Sequence, residues 1–240
     1  MNKKSHSLFV AAILVASTLF IPGTSSAEEV VSSIARGGLL YDKWFKVTGA
    51  EKPKDTHKAW PASNTKKSGD VTWRCKSCHG WDLKGKDGAY SSGSYLTGIK
   101  GLEAMANVDT AKIIAIFKDD THGYGDMMSA EDYQDLANFV SLGQYDMSKY
   151  IDYATKTSKG DAAKGEAYYN TVCAKCHGKD GTLPKDMEKT VGALVNSNPW
   201  EIMHKIMEGQ PAEDMPAMRA FGPQVSADIL AYSKTLPTKR

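Results

Sequence analysis

Cys75-Lys76-Ser77-Cys78-His79 and Cys173-Ala174-Lys175-Cys176-His177 are two copies of one pattern, and together they use all 4 cysteines of the 240-residue chain. Two thiols three positions apart share one face of a single helical turn, so each can add to one of the two vinyl groups of a haem. The histidine directly after them then lies beneath the porphyrin plane, where it can ligate iron. C-x-x-C-H is the attachment signature of c-type haem. Paired C-x-x-C elements also build zinc ribbons, but those pairs lie about 15–20 residues apart and need no adjoining histidine. A thioredoxin-like dithiol would occur once, near a β-α-β pattern, again without the histidine. The repeated motif predicts two covalently bound haem c groups, held by Cys75, Cys78, Cys173 and Cys176, with His79 and His177 on iron.

The N-terminus bears independently on the compartment. Lys3 and Lys4 precede an apolar run from Leu8 to Ile21, Pro22-Gly23 breaks it, and Ser25-Ser26-Ala27 offers small residues for cleavage after Ala27. That is the order of a secretory signal peptide, and the run is short of the ~20 residues a bilayer span needs. Residues 1–27 are expected to be removed, leaving an exported, soluble, periplasmic product that begins near Glu28. The formal charge of +2 resides in Lys3 and Lys4, so the mature polypeptide is near neutral and haem propionates would make it mildly acidic. No block dense in Lys and Arg supports nucleic-acid binding. No later apolar stretch is long enough for an integral membrane segment.

The elements that must position the motifs follow a divergent duplication. Ala163-Lys164-Gly165-Glu166-Ala167-Tyr168-Tyr169 has the arrangement of Ala35-Arg36-Gly37-Gly38-Leu39-Leu40-Tyr41, and Asp228-Ile229-Leu230-Ala231-Tyr232 matches Asp135-Leu136-Ala137-Asn138-Phe139. Each unit therefore opens on a helix with a small residue and an aromatic, and closes on an amphipathic helix with another aromatic. Glycine lets two such helices cross closely. Between them, Asp109 or Thr110 opens a helix to about Lys118, the Ser129 capping box one to Leu142, and Pro199 one to Glu208, while Ser226 is expected to cap the last. No strand pattern of useful length appears, so the fold class is all-α. The division is residues 28–146, a linker over 147–159, and 160–240. The first unit carries an insertion at about 48–71, polar and without periodicity, which reads as a surface loop. Residues 84–101, rich in glycine, read as an irregular haem-covering loop.

In this order of parts the chain resembles two tandem class I cytochrome c domains, over essentially its whole mature length. The resemblance implies a small helical fold around each haem, a histidine below the iron and usually a methionine above it. Met215, in Met215-Pro216-Ala217, matches the family's ligand loop, and Met127 stands before the closing helix of the first unit, where related domains place theirs. Met218 and Met128 compete with them, and His122 is a rival for the first distal position. Such domains commonly orient the proximal histidine with a proline carbonyl. Pro184 could serve His177, whereas His79 must use another carbonyl near Thr97 to Gly101.

Other histidines and aromatics have plainer readings: His57 exposed in the insertion, His204 at the surface or half-buried, and Trp73 and Trp81 packed at the porphyrin edge. Lys76, Lys84, Lys86, Lys175, Lys179 and Lys185 form a solvated face or a docking ring for acidic partners. A haem saturated by His and Met can only change oxidation state. The expected function is a periplasmic dihaem carrier of single electrons between redox partner proteins, rather than an enzyme. The alternatives are a haem-bearing subunit of a larger oxidoreductase and a catalytic dihaem oxidoreductase, peroxidase-like or oxidising sulfur compounds.

Overall fold

A computed structural model describes residues 27–240; the expected signal peptide lies, but for Ala27, outside them. α1 (Ala27–Val47) bends at Lys43, and irregular chain then leads through a short turn at Gly69–Trp73 to α2 (Cys75–His79). After the 84–101 loop come α3 (Thr110–Phe117) and α4 (Ala130–Leu142). The second half holds α5 (Ala162–Tyr168), α6 (Ala174–His177), α7 (Val191–Ser197), α8 (Pro199–Glu208) and α9 (Gly222–Ser233). Polar side chains start several of these helices. Asp109 accepts from the Ala111 amide, Ser129 and Asp132 form a reciprocal capping box, and Asn198 accepts from the Glu201 amide ahead of Pro199, each satisfying amides that have no partner within the helix.

The duplication read from sequence recurs as matching contacts. At Gly37 of α1, an added Cβ would lie 2.7 Å from the Asp135 carbonyl carbon and from Phe139 Cβ of α4. At Gly165 of α5, it would lie 2.5 Å from the Asp228 carbonyl carbon and 3.0 Å from Tyr232 Cβ of α9. Only glycine permits either crossing. Aromatics then pack beside it, Tyr41 on Phe139 with ring centroids 5.2 Å apart and Tyr169 on Tyr232 at 5.4 Å. The Tyr41 hydroxyl donates to the Gly80 carbonyl at 2.6 Å and the Tyr169 hydroxyl to the Gly178 carbonyl at 2.9 Å. Each opening helix thereby pins the residue that follows a motif histidine.

Other expectations are corrected. Ser226 does not cap the last helix. Pro223 suits a first helical turn, so α9 starts at Gly222 and Ser226 lies inside it, fully buried. Within the 147–159 segment, Ile151–Asp152 (β1) pairs antiparallel with Thr157–Ser158 (β2), while Met147 and Ile151 are buried in the second core. His57 is buried rather than exposed, because the insertion folds inward. Its amide donates to Thr72 Oγ1 at 2.9 Å and its ring meets Trp73 edge-on at 4.4 Å.

The two halves pack directly on each other where α1 crosses α8. Gly38 lies where a Cβ would meet Glu208 Cβ at 2.8 Å, and His204 Nε2 donates to the Gly38 carbonyl at 3.0 Å. His204 is consequently 2% exposed, against the surface or half-buried position expected of it. Asp42, buried on α1, binds Arg74 and, at 3.0 Å, Lys205 of α8. Trp81 packs in the second core beside His204, 5.0 Å between rings, although it follows the first motif in sequence.

Candidate functional site

α2 starts at Cys75, so Cys75 and Cys78 stand one turn apart with His79 at the helix end. In the second half α5 runs through a single π-type turn, Tyr169–Cys173, into α6, which ends at His177. All four cysteines are free thiols. Burial pushes Cys75 and Cys173 up to about 11, and burial together with the neighbouring Cys75 pushes Cys78 up to about 12. Protonated thiols attack disulfides poorly, so Cys75, Cys78 and Cys173 are held as S–H groups.

Each motif histidine is oriented by a backbone carbonyl. His79 Nδ1 lies 2.9 Å from the Lys100 oxygen, within the stretch expected to supply it. That carbonyl is fixed because the 84–101 loop folds back on itself, with the Lys86 amide on the Ile99 carbonyl at 2.8 Å and the Leu102 amide on Leu83 at 2.7 Å. His177 Nδ1 lies 3.3 Å from the Leu183 carbonyl. The carbonyl of Pro184, expected for that role, instead accepts from Arg240 at 3.1 Å. A carbonyl only accepts, so Nδ1 carries the proton on both rings and Nε2 keeps its lone pair. Burial also lowers the His79 pKa to about 4, which keeps the ring neutral. Tethering the second nitrogen in this way is typical of metal-bound histidine. Paired free thiols beside a histidine with a basic Nε2 fit covalently attached haem. Among the described residues no group of three or more His, Cys, Asp or Glu gathers as a zinc site requires.

The distal candidates separate by burial. Met215 packs, half-buried, at the edge of the second core, while Met218 is 7% exposed within it, its amide on the Ile206 carbonyl at 2.9 Å. In the first half Met128 is 6% exposed in the core and Met127 is 41% exposed. The ring of His122 stands with its centroid 6.4 Å from that of His79 and its plane 22° from parallel.

The lysines grouped around the motifs do not share one environment. Lys76 is 3% exposed, its ammonium 4.8 Å from the Trp81 ring and 4.3 Å from that of Tyr95, so it belongs to neither a solvated face nor a docking ring. Burial, with Arg74 nearby, lowers its pKa to about 7. Lys84 is held by Asp146 at 3.1 Å, whereas Lys175, Lys179 and Lys185 are exposed. Arg74, directly before Cys75, ties the first motif to α1 through Asp42. Which acid Arg74 meets is set by the tertiary packing of α1 against the first motif, and no local pattern announces it.

Among the described residues no helix is long and apolar enough to cross a membrane. Residues 160–232 match the family described as cytochrome c oxidase, cbb3-type, subunit III. The chain is similar to the cbb3-type cytochrome c oxidase subunit CcoP of Azospirillum brasilense, 27% identical over 186 residues, which cover 73% of this chain and 62% of that subunit. No solved structure matches it. It is also similar to a cytochrome c-553-like protein of Synechocystis sp., 37% identical over 82 residues, which cover 32% of this chain and 71% of that protein. Kinship at that level over most of a small haem protein settles the family: the chain belongs to the c-type cytochromes, electron carriers with covalently bound haem c.

Proposed function

We propose that the chain is a periplasmic dihaem cytochrome, made of residues 28–146 and 160–240 joined by 147–159, which relays single electrons between two redox partners. Cys75 and Cys78 would anchor one haem above His79, and Cys173 and Cys176 the other above His177. Haem c supplies the one-electron Fe(III)/Fe(II) couple. The chain's own residues do the rest. Lys100 and Leu183 hold the two imidazoles in one tautomer, and Tyr41 and Tyr169 fix the turns after them. Met215 is the proposed distal ligand of the second site, where a thioether raises the potential; the first distal ligand comes from the 122–128 segment.

The observation that carries this reading is the recurrence, in both halves, of the glycine crossing, the tyrosine-to-carbonyl bond and the carbonyl-tethered histidine. A second reading, a haem-bearing subunit of a larger oxidoreductase, is favoured by the match to CcoP over 73% of the chain. An anaerobic optical titration of the purified holoprotein tests the carrier. Two one-electron steps are expected, with low-spin spectra in both oxidation states and no carbon monoxide uptake on reduction. Ready uptake at one haem would overturn it in favour of a catalytic dihaem oxidoreductase. Co-purification with a stable oxidoreductase complex would support the subunit.

A further inference from the structure

We propose that His122, rather than a methionine, is the distal iron ligand of the first haem, and that the 48–71 insertion holds it in place. The inference rests on the reading that Cys75–His79 binds a haem. His79 and His122 stand with ring centroids 6.4 Å apart and planes 22° from parallel. That is the outer limit of aromatic contact. It is also the separation of two imidazoles that share one metal, since two metal–nitrogen bonds of ~2 Å plus the depth of each ring place the centroids ~6 Å apart.

The hydrogen bonds agree with this geometry. His79 Nδ1 lies 2.9 Å from the Lys100 carbonyl and His122 Nδ1 lies 3.0 Å from Asp119 Oδ1. Both acceptors take the Nδ1 proton, so Nε2 is the lone-pair nitrogen on each ring. A carbonyl behind one ligand and a carboxylate behind the other are the two commonest supports of a metal-bound histidine. Asp119 is itself fixed by the amides of Thr121 at 2.9 Å and His122 at 2.8 Å.

The loop carrying His122 is anchored from the insertion. His57 Nε2 donates to the His122 carbonyl at 2.8 Å, and the ring of His57 is wedged against Trp73, two residues before Cys75. Trp73 in turn donates from Nε1 to the Asp55 carbonyl at 2.8 Å. The second half has no counterpart of this insertion, and its candidate ligand is a methionine. His57 is a positioning residue in this account. The two haems would then differ in kind, a bis-imidazole site of lower potential and a His/Met site of higher potential.

The test uses full-length holoprotein, with covalent haem counted by mass on every sample, so that a missing first haem is told apart from a wrong ligand. Wild-type ferric protein should show the thioether-to-iron charge-transfer band at the intensity of one haem, not two. His122→Ala should make one haem high-spin and open to carbon monoxide, while Met127→Leu and Met128→Leu leave the spectrum unchanged. His122→Met keeps a ligand in place should the alanine variant fold poorly, and should raise the lower potential and double the band. His57→Leu should give a first site of mixed spin state, restored by His57→Gln. A wild-type band of two-haem intensity, or a first site opened by Met127→Leu and indifferent to His122→Ala, would overturn the assignment. Lower stability of His57→Leu with no spectral change would overturn the role of His57.

Discussion

Replacing Gly165 by alanine tests the helix crossing that frames the second motif, because two effects of opposite sign compete there. In an ordinary helix interior the change stabilises, since alanine exceeds glycine in helix propensity by ~1 kcal/mol. At Gly165 the new Cβ would lie 2.5 Å from the Asp228 carbonyl carbon and closer still to its oxygen, whereas ordinary contact begins at 3.4 Å. The obstructing atoms are backbone and cannot rotate away, so α5 and α9 must separate by roughly an ångström in a close-packed interior. Overpacking of that kind costs ~1–3 kcal/mol, and a backbone obstacle argues for the upper end. The net expectation is a loss of ~2 kcal/mol, with Gly37→Ala giving a similar loss at the matching crossing of the first half. Guanidinium unfolding of holoprotein, followed by helix circular dichroism, reads the sign. A midpoint that stays or rises in both variants would refute the close crossing and the correspondence of the two halves.

Asp42→Asn should destabilise by ~3–5 kcal/mol, because Arg74 and Lys205 lose the buried charge they share. Burial alone would raise the Asp42 pKa, but Lys205 and then Arg74 outweigh it and hold the carboxyl well below its usual range. The contribution is therefore complete above the unfolded value of ~4 and is lost as pH falls toward the depressed folded value. Denaturation midpoints of wild type and variant should accordingly converge in acid, and a constant difference from pH 7 to pH 3 would contradict this. Met215→Leu should lower the higher of the two potentials and admit carbon monoxide at one haem, whereas Met218→Leu, within the core, should cost stability by unfolding assay and leave the spectrum intact.

Local chemistry carried much of the fold in readable form. The capping box at Ser129, Pro199 in the first turn of its helix and the paired glycines are short-range features, and each stands where its residues predict. So does the carbonyl for His79, which the 84–101 loop brings back at Lys100. What sequence could not show depends on contacts between distant segments. His204 and Trp81 are buried because α1 lies across α8, and nothing in their own helix or loop marks that crossing. Lys76 belongs to a set of lysines around the two motifs that reads as solvated, yet Trp81 and Tyr95 enclose its ammonium. His57 lies in a polar, aperiodic stretch whose inward fold is set by Thr72, Trp73 and the His122 carbonyl. The same tertiary dependence hid the stance of His122 opposite His79, which only the folded 119–125 segment displays.

The central claim, one covalent haem in each half, is most directly tested by the mass of the denatured, acid-acetone-extracted holoprotein. A polypeptide bearing two haems is expected, falling to one in Cys173→Ala/Cys176→Ala and to one in Cys75→Ala/Cys78→Ala. Haem released by the extraction, or a wild-type chain bearing a single haem, would contradict it.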